Sequence, residues 1–182
     1  TLTAQLFQPR HPRGTIFILH GYLDHAGIVA PLIRYGLEQR LAVAMYDLPG
    51  HGLSGGTRAS IGHFSDYVAV FEDFLSLCAP QLPEPYHLIS HSTGSAISLE
   101  YLAHTERSPF ERIVFLAPLV RHMYWYPAKA TYAMGKLFSV KTVPRRNSEL
   151  SSDPAFQELV ANDPLTTERV PTQWIGALYA WE

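Results

Sequence analysis

Tyr86-His87-Leu88-Ile89-Ser90-His91-Ser92-Thr93-Gly94 is the stretch that decides the fold. Its first four residues make a short apolar run of strand length, while Ala96, Ile97, Leu99, Tyr101 and Leu102 beyond the turn carry helical spacing. Between them, Ser90-His91-Ser92-Thr93-Gly94 matches the sharp strand-to-helix corner that presents a serine hydroxyl. A hydroxyl on such a corner projects above the carboxyl edge of a sheet, where open α/β folds bind ligands. The corner is strained, so the positions flanking the serine need small side chains. Gly94 meets that need, and Ser90 meets it less ideally than glycine. The helix that follows points its N-terminus at the turn, which favours developing negative charge. The bland alternative is that Ser92 or Thr93 merely caps that helix; the strand–turn–helix context favours an attacking hydroxyl.

Outward from this turn the same alternation recurs. Residues 15–19, 42–46 and 113–116 are β-rich apolar runs that stop at His20-Gly21, Asp47-Leu48-Pro49-Gly50 and Ala117-Pro118. Helical spacing runs from Ile28 to Arg40, and again through Phe64, Val68, Phe71 and Leu75, a helix that Pro80 and Pro83 help terminate. A further edge strand is expected around Thr3 to Phe7. Continuously apolar strands separated by helices predict an α/β fold with a mostly parallel sheet covered on both faces. From Leu119 the character changes: aromatic residues crowd in and no strand-like run returns. Helices are expected near 127–139, 154–161 and 171–181, with a polar loop from Arg145 to Ser152. The expected organisation is therefore a core over 1–118 and a helical cap over 119–182.

Composition narrows the function classes. With 47% hydrophobic and 16% charged residues the 182-residue chain reads as globular. A net charge of −2 without any basic run gives no electrostatic case for nucleic acid or an anionic membrane surface. No apolar run approaches the roughly 20 residues a membrane-spanning helix needs. Cys78, the single cysteine, excludes an internal disulfide and is expected to be buried among Phe71, Phe74, Leu75 and Leu77. The start, Thr1-Leu2-Thr3-Ala4, has neither an initiator Met nor a signal-peptide layout, so a processed product or fragment is expected. The expected compartment is the cytoplasm, compatible with peripheral membrane association.

Two patterns suggest cofactors and are set aside. Gly50-His51-Gly52-Leu53-Ser54-Gly55 formally matches a dinucleotide fingerprint, but it begins behind a proline and runs into Gly56-Thr57-Arg58 instead of opening a helix. A tight glycine turn near the active-site rim is the better account. His20, His25, His51 and His63 fit no zinc spacing, so loop or supporting roles are expected and neither metal nor cofactor is.

Acyl transfer needs donors aimed at the oxygen that becomes negative, and backbone N–H groups supply them without reorganising. One should come from Thr93, after the attacking Ser92. The other should come from Tyr22, on the loop after the strand expected beside that of Ser92. Taken in order, His20-Gly21-Tyr22, Asp47 to Ser54, Ser90 to Gly94 and the strand ending at Ala117-Pro118 make the chain resemble the α/β-hydrolase superfamily. Within it the chain looks most like the monoacylglycerol lipase, lysophospholipase and serine aminopeptidase S33-type group. The resemblance covers roughly residues 14–120 and implies a helical cap after the last of these strands.

It also implies a triad ordered Ser, Asp, His, with the last two on loops after later strands. After Ser92 the histidines are His104 and His122, and none follows Asp153 or Asp163. The triad Asp and His, and the strands that would carry them, are therefore expected to be missing from this chain. His91 neighbours Ser92 in sequence, yet on a tight turn its side chain is expected to point elsewhere. The expected activity, in the intact protein, is hydrolysis of a small, lipid-like ester through an acyl-enzyme on Ser92. Two alternatives stay open: an S33-type aminopeptidase, disfavoured because Tyr22-Leu23-Asp24 replaces the Gly-Pro-Gly usual after His-Gly, and a non-catalytic binding protein on a hydrolase scaffold. Oligomeric state is left open.

Overall fold

The computed structural model describes residues 1–121, 124–145 and 151–181. Four parallel strands form its centre: β2 (Thr15–Leu19), β3 (Ala42–Tyr46), β4 (Tyr86–His91) and β5 (Phe110–Leu116). β1 (Ala4–Phe7) joins antiparallel to β3, giving the order β1-β3-β2-β4-β5. The expected edge strand is thus present, and β4 lies beside β2 with Leu19 opposite Ser90. That register brings the loops after β2 and β4 to one edge of the sheet.

Period-two alternation explains why the central strands are apolar throughout. Phe17, Leu19, Ala44, Tyr46 and Leu88 face one layer with Phe71, Phe74, Leu75, Ala96 and Ile97. Ile16, Ile18, Val43 and Met45 face the other layer with Ile33. Each strand supplies both layers, so a polar residue at either parity would be buried. Helix α1 (Ala30–Glu38) covers the second face; α2 (Phe64–Cys78) and α3 (Thr93–His104) cover the first. Cys78 is a free, buried thiol in the first layer, as expected.

After β5 come α4 (Trp125–Leu137), β6 (Thr142–Pro144), α5 (Pro154–Ala161), β7 (Arg169–Pro171) and α6 (Thr172–Trp181). The three helices lie close to the expected stretches. The expectation that no strand returns is corrected: β6 and β7 pair antiparallel, with Val143 opposite Val170. Three-residue runs ending in proline are too short to show a period, and this pair closes only when α5 folds between them. Most of the polar loop expected at Arg145 to Ser152, and His122, lie outside the described residues. No described helix is long and apolar enough to cross a membrane.

Candidate active site

Ser92 stands between β4 and α3 at φ 50°, ψ −113°, a conformation that a residue with a Cβ rarely adopts. The backbone around it over-determines that geometry. Its N–H donates to the Leu116 carbonyl at 2.9 Å, and its own carbonyl accepts from Ser95, Ala96 and Leu119 N–H at 3.0–3.1 Å. The Ser92 side chain makes no capping hydrogen bond, and the buried Thr93 hydroxyl has no partner among the described residues, so neither residue caps α3. Ser92 Oγ is left without a hydrogen bond among the described residues.

Small neighbours make the corner. A Cβ at Gly94 would lie 2.6 Å from the carbonyl oxygens of both Leu19 and His20, because α3 starts directly against the end of β2. Ser90, where glycine is usual, is buried and places its hydroxyl 3.3 Å from the Ser95 hydroxyl, which itself donates to the Ser90 carbonyl at 2.7 Å. The extra oxygen is thereby satisfied within the turn.

The loop after β2 is held by a fully buried imidazole. Leu48 N–H donates to His20 Nε2 at 2.9 Å, which leaves the proton on Nδ1, and Nδ1–H donates to the Gly21 carbonyl at 2.8 Å. Burial pushes the His20 pKa below its ordinary value, keeping this neutral tautomer. Asp24 N–H donates to the same Gly21 oxygen at 3.2 Å. In a trans peptide the C=O and the next N–H point opposite ways, so two donors on Gly21 O aim the Tyr22 N–H in the other direction. Neither Tyr22 N–H nor Thr93 N–H donates to an acceptor among the described residues.

The Asp47–Ser54 motif buttresses this loop and opens no helix. Buried Asp47 accepts Ala26 N–H and Leu53 N–H on its two oxygens, at 2.8 and 2.9 Å. Gly52 lies at φ +49° against that carboxylate, with no room for a Cβ. His51 follows the turn and packs its ring against Tyr22 at 5.3 Å. Burial lowers its pKa to about 4, with His20 adding to the effect.

His25 and His91 each face an acidic side chain. His25 accepts Gly27 N–H on Nδ1 at 3.0 Å, so Nε2 carries the proton and donates to Asp163 at 2.6 Å. This His–Asp pair resembles two triad members, but no ring nitrogen is left to accept a serine proton. His91 turns its Nδ1 toward Asp24 at 3.3 Å and makes no hydrogen bond to Ser92 among the described residues. His63 sits at the N-cap of α2. On the segment after β5, Trp174 stacks on Tyr22 with centroids 3.6 Å apart and planes 15° from parallel. Trp174 also lines an apolar cavity of about 730 Å³, together with Tyr132, Val140, Val143, Val170 and Leu178.

A family model described as serine aminopeptidase, S33, matches residues 10–181. The chain belongs to the S33 family. Among its relatives, a monoacylglycerol lipase of Mycolicibacterium smegmatis is 35% identical over 92 residues, covering 50% of this chain and 32% of that protein. A monoglyceride lipase of Rattus norvegicus is 32% identical over 111 residues, covering 60% of this chain and 36% of the relative. The matches thus span about a third of these relatives' lengths. A solved monoacylglycerol lipase from Paleococcus ferrophilus superposes with a TM-score of 0.80 at 21% identity, over 99% of this chain and 69% of that one. The fold is that of the α/β-hydrolases, as expected.

Of the residues singled out in the sequence, Ser92, Thr93 and Tyr22 meet at one sheet edge. The tautomer of His20, the His25–Asp163 pair and the Trp174 stack were not readable there. Adjacent motifs could have pointed to His20; nothing in sequence links His25 to Asp163, 138 positions apart.

Proposed function

We propose that Ser92 is the nucleophile of a serine hydrolase that cleaves lipid-like carboxylic esters, with residues 119–182 forming its cap. The observation that carries this reading is the strained Ser92 between two N–H groups, those of Tyr22 and Thr93, that lack acceptors among the described residues. Ser92 Oγ attacks the ester carbonyl carbon while its proton passes to an imidazole, and the former carbonyl oxygen takes the negative charge between the two N–H groups. Collapse of this intermediate breaks the ester C–O bond, and the alcohol leaves with the proton. Water then hydrolyses the acyl-Ser92 ester by the same steps. The imidazole and its orienting carboxylate are proposed to come from outside these 182 residues, because His20 and His25 have both ring nitrogens engaged and no described histidine hydrogen-bonds Ser92 Oγ.

An ester substrate is favoured over a peptide by the loop Tyr22-Leu23-Asp24, and a lipid-like acyl group by the apolar cavity beside Trp174 and by the lipase names of the relatives. In the complete gene product, a fluorophosphonate should label Ser92. Ser92→Ala should abolish labelling and lower ester hydrolysis by at least about a thousandfold. A fully active Ser92→Ala protein would refute the assignment; a wild-type protein inert to both substrate and probe would favour a binding scaffold.

A further inference from the structure

We propose that Trp174 is a positioning residue for the Tyr22 N–H, so that α6 belongs to the oxyanion scaffold; this rests on the oxyanion reading of Tyr22 above. His20 sets the plane of the Gly21–Tyr22 peptide, but the Cα of Tyr22 is held by its side chain. The phenol hydroxyl donates to the Ala59 carbonyl at 2.7 Å, and the ring lies flat on Trp174. The next residue, Leu23, is at φ +66°, so the loop needs such restraint.

Trp174 is itself fixed. It lies in the first turn of α6, where the neighbouring Gln173 accepts a hydrogen bond from the Ser60 hydroxyl at 3.0 Å. At the other end of α6, Trp181 stacks on Phe64 of α2 at 4.3 Å and donates to Glu100 of α3 at 3.0 Å. The helix is thus seated on the core at both ends, and Trp174 is carried between rigid supports. The indole N–H of Trp174 and the hydroxyl of Tyr67 are both buried without a hydrogen-bond partner among the described residues. An indole at this place is not the best choice for burial, since its N–H loses water without gaining a partner among the described residues. Its broad plane over Tyr22 is what a smaller apolar residue would not supply.

Steady-state hydrolysis of a short p-nitrophenyl ester by the complete gene product tests the inference. Trp174→Ala should lower kcat about tenfold with KM within about twofold, the scale of one aromatic pair read as a rate. Trp174→Phe, which keeps a stacking ring, should restore most of kcat. Tyr22→Ala retains the N–H and should match Trp174→Ala, and the double variant should be no slower than either single one. Losses that multiply, or a raised KM at unchanged kcat, overturn the proposal. Amide exchange at Asp24, whose N–H rests on Gly21 O, reads the loop without catalysis. It should quicken about tenfold in Trp174→Ala and recover in Trp174→Phe; unchanged exchange overturns the proposal. If Ser92 proves unreactive in the wild type, the hydrolase reading falls while exchange still decides whether Trp174 holds the loop.

Discussion

At the scale of single residues, Gly94 shows how a strained serine is made tolerable. The start of α3 presses on the carbonyls of Leu19 and His20, and the missing side chain lets the helix N-terminus approach the loop that carries Tyr22. Gly94→Ala places a methyl group against backbone that no rotamer change can clear. A loss of about 1–3 kcal/mol is expected from such overpacking, seen as a lower midpoint in urea with unchanged slope. An unaltered midpoint would mean that the corner relaxes freely. Gly94 and Ser92 were legible because the corner is local, built from five consecutive residues. His20 was not, because its tautomer is set by Leu48, 28 positions away.

At the scale of elements, α5 and α6 bind the segment after β5 to the core through few but specific contacts. Asp163 follows α5 and takes hydrogen bonds from His25, Leu165 N–H and Thr166. Burial alone would raise its pKa, but these donors outweigh it and hold the carboxyl below its ordinary value. Asp163→Ala leaves the N–H of the buried His25 unpaired and should cost about 1–3 kcal/mol, lowering Tm by several degrees. Because Asp163 hydrogen-bonds His25, Leu165 and Thr166 and neither Ser92, Thr93 nor Tyr22, the loss should appear in stability before reactivity; a Tm within a degree or so of wild type would refute the contact's weight. Helices α4 to α6 fall close to the stretches 127–139, 154–161 and 171–181 expected from the sequence. The β6–β7 pair was not, since neither strand is long enough to declare itself before its partner arrives.

At the scale of the molecule, buried imidazoles set the response to acid. His20 and His51 have folded-state pKa values below the unfolded value of about 6.5, His51 at about 4. The unfolded chain therefore binds their protons first, and stability present above about pH 6.5 is lost as pH falls toward 4. Asp163 adds a second loss below about pH 4, where the unfolded carboxyl protonates before the folded one. Thermal unfolding followed from pH 7 to 3 should thus show Tm falling across the first window and again below it. A flat profile between pH 6.5 and 4.5 would contradict the buried neutral imidazoles. At the sheet's edge β5 pairs only with β4 among the described residues, leaving Val114 and Leu116 47% and 43% exposed.

By itself the sequence determined the order of strands and helices as far as β5, the corner at Ser92 and the α/β class. Each of these rests on patterns that span a few residues: apolar runs, period and small side chains at a turn. Only the tertiary structure decided which partners meet. The neutral His20 bridge, the His25–Asp163 pair and the Trp174–Tyr22 stack depend on side chains 28 to 152 positions apart. Hydrogen bonds and ring contacts act over a few ångströms, and distance along the chain does not reveal which residues folding will bring within that range.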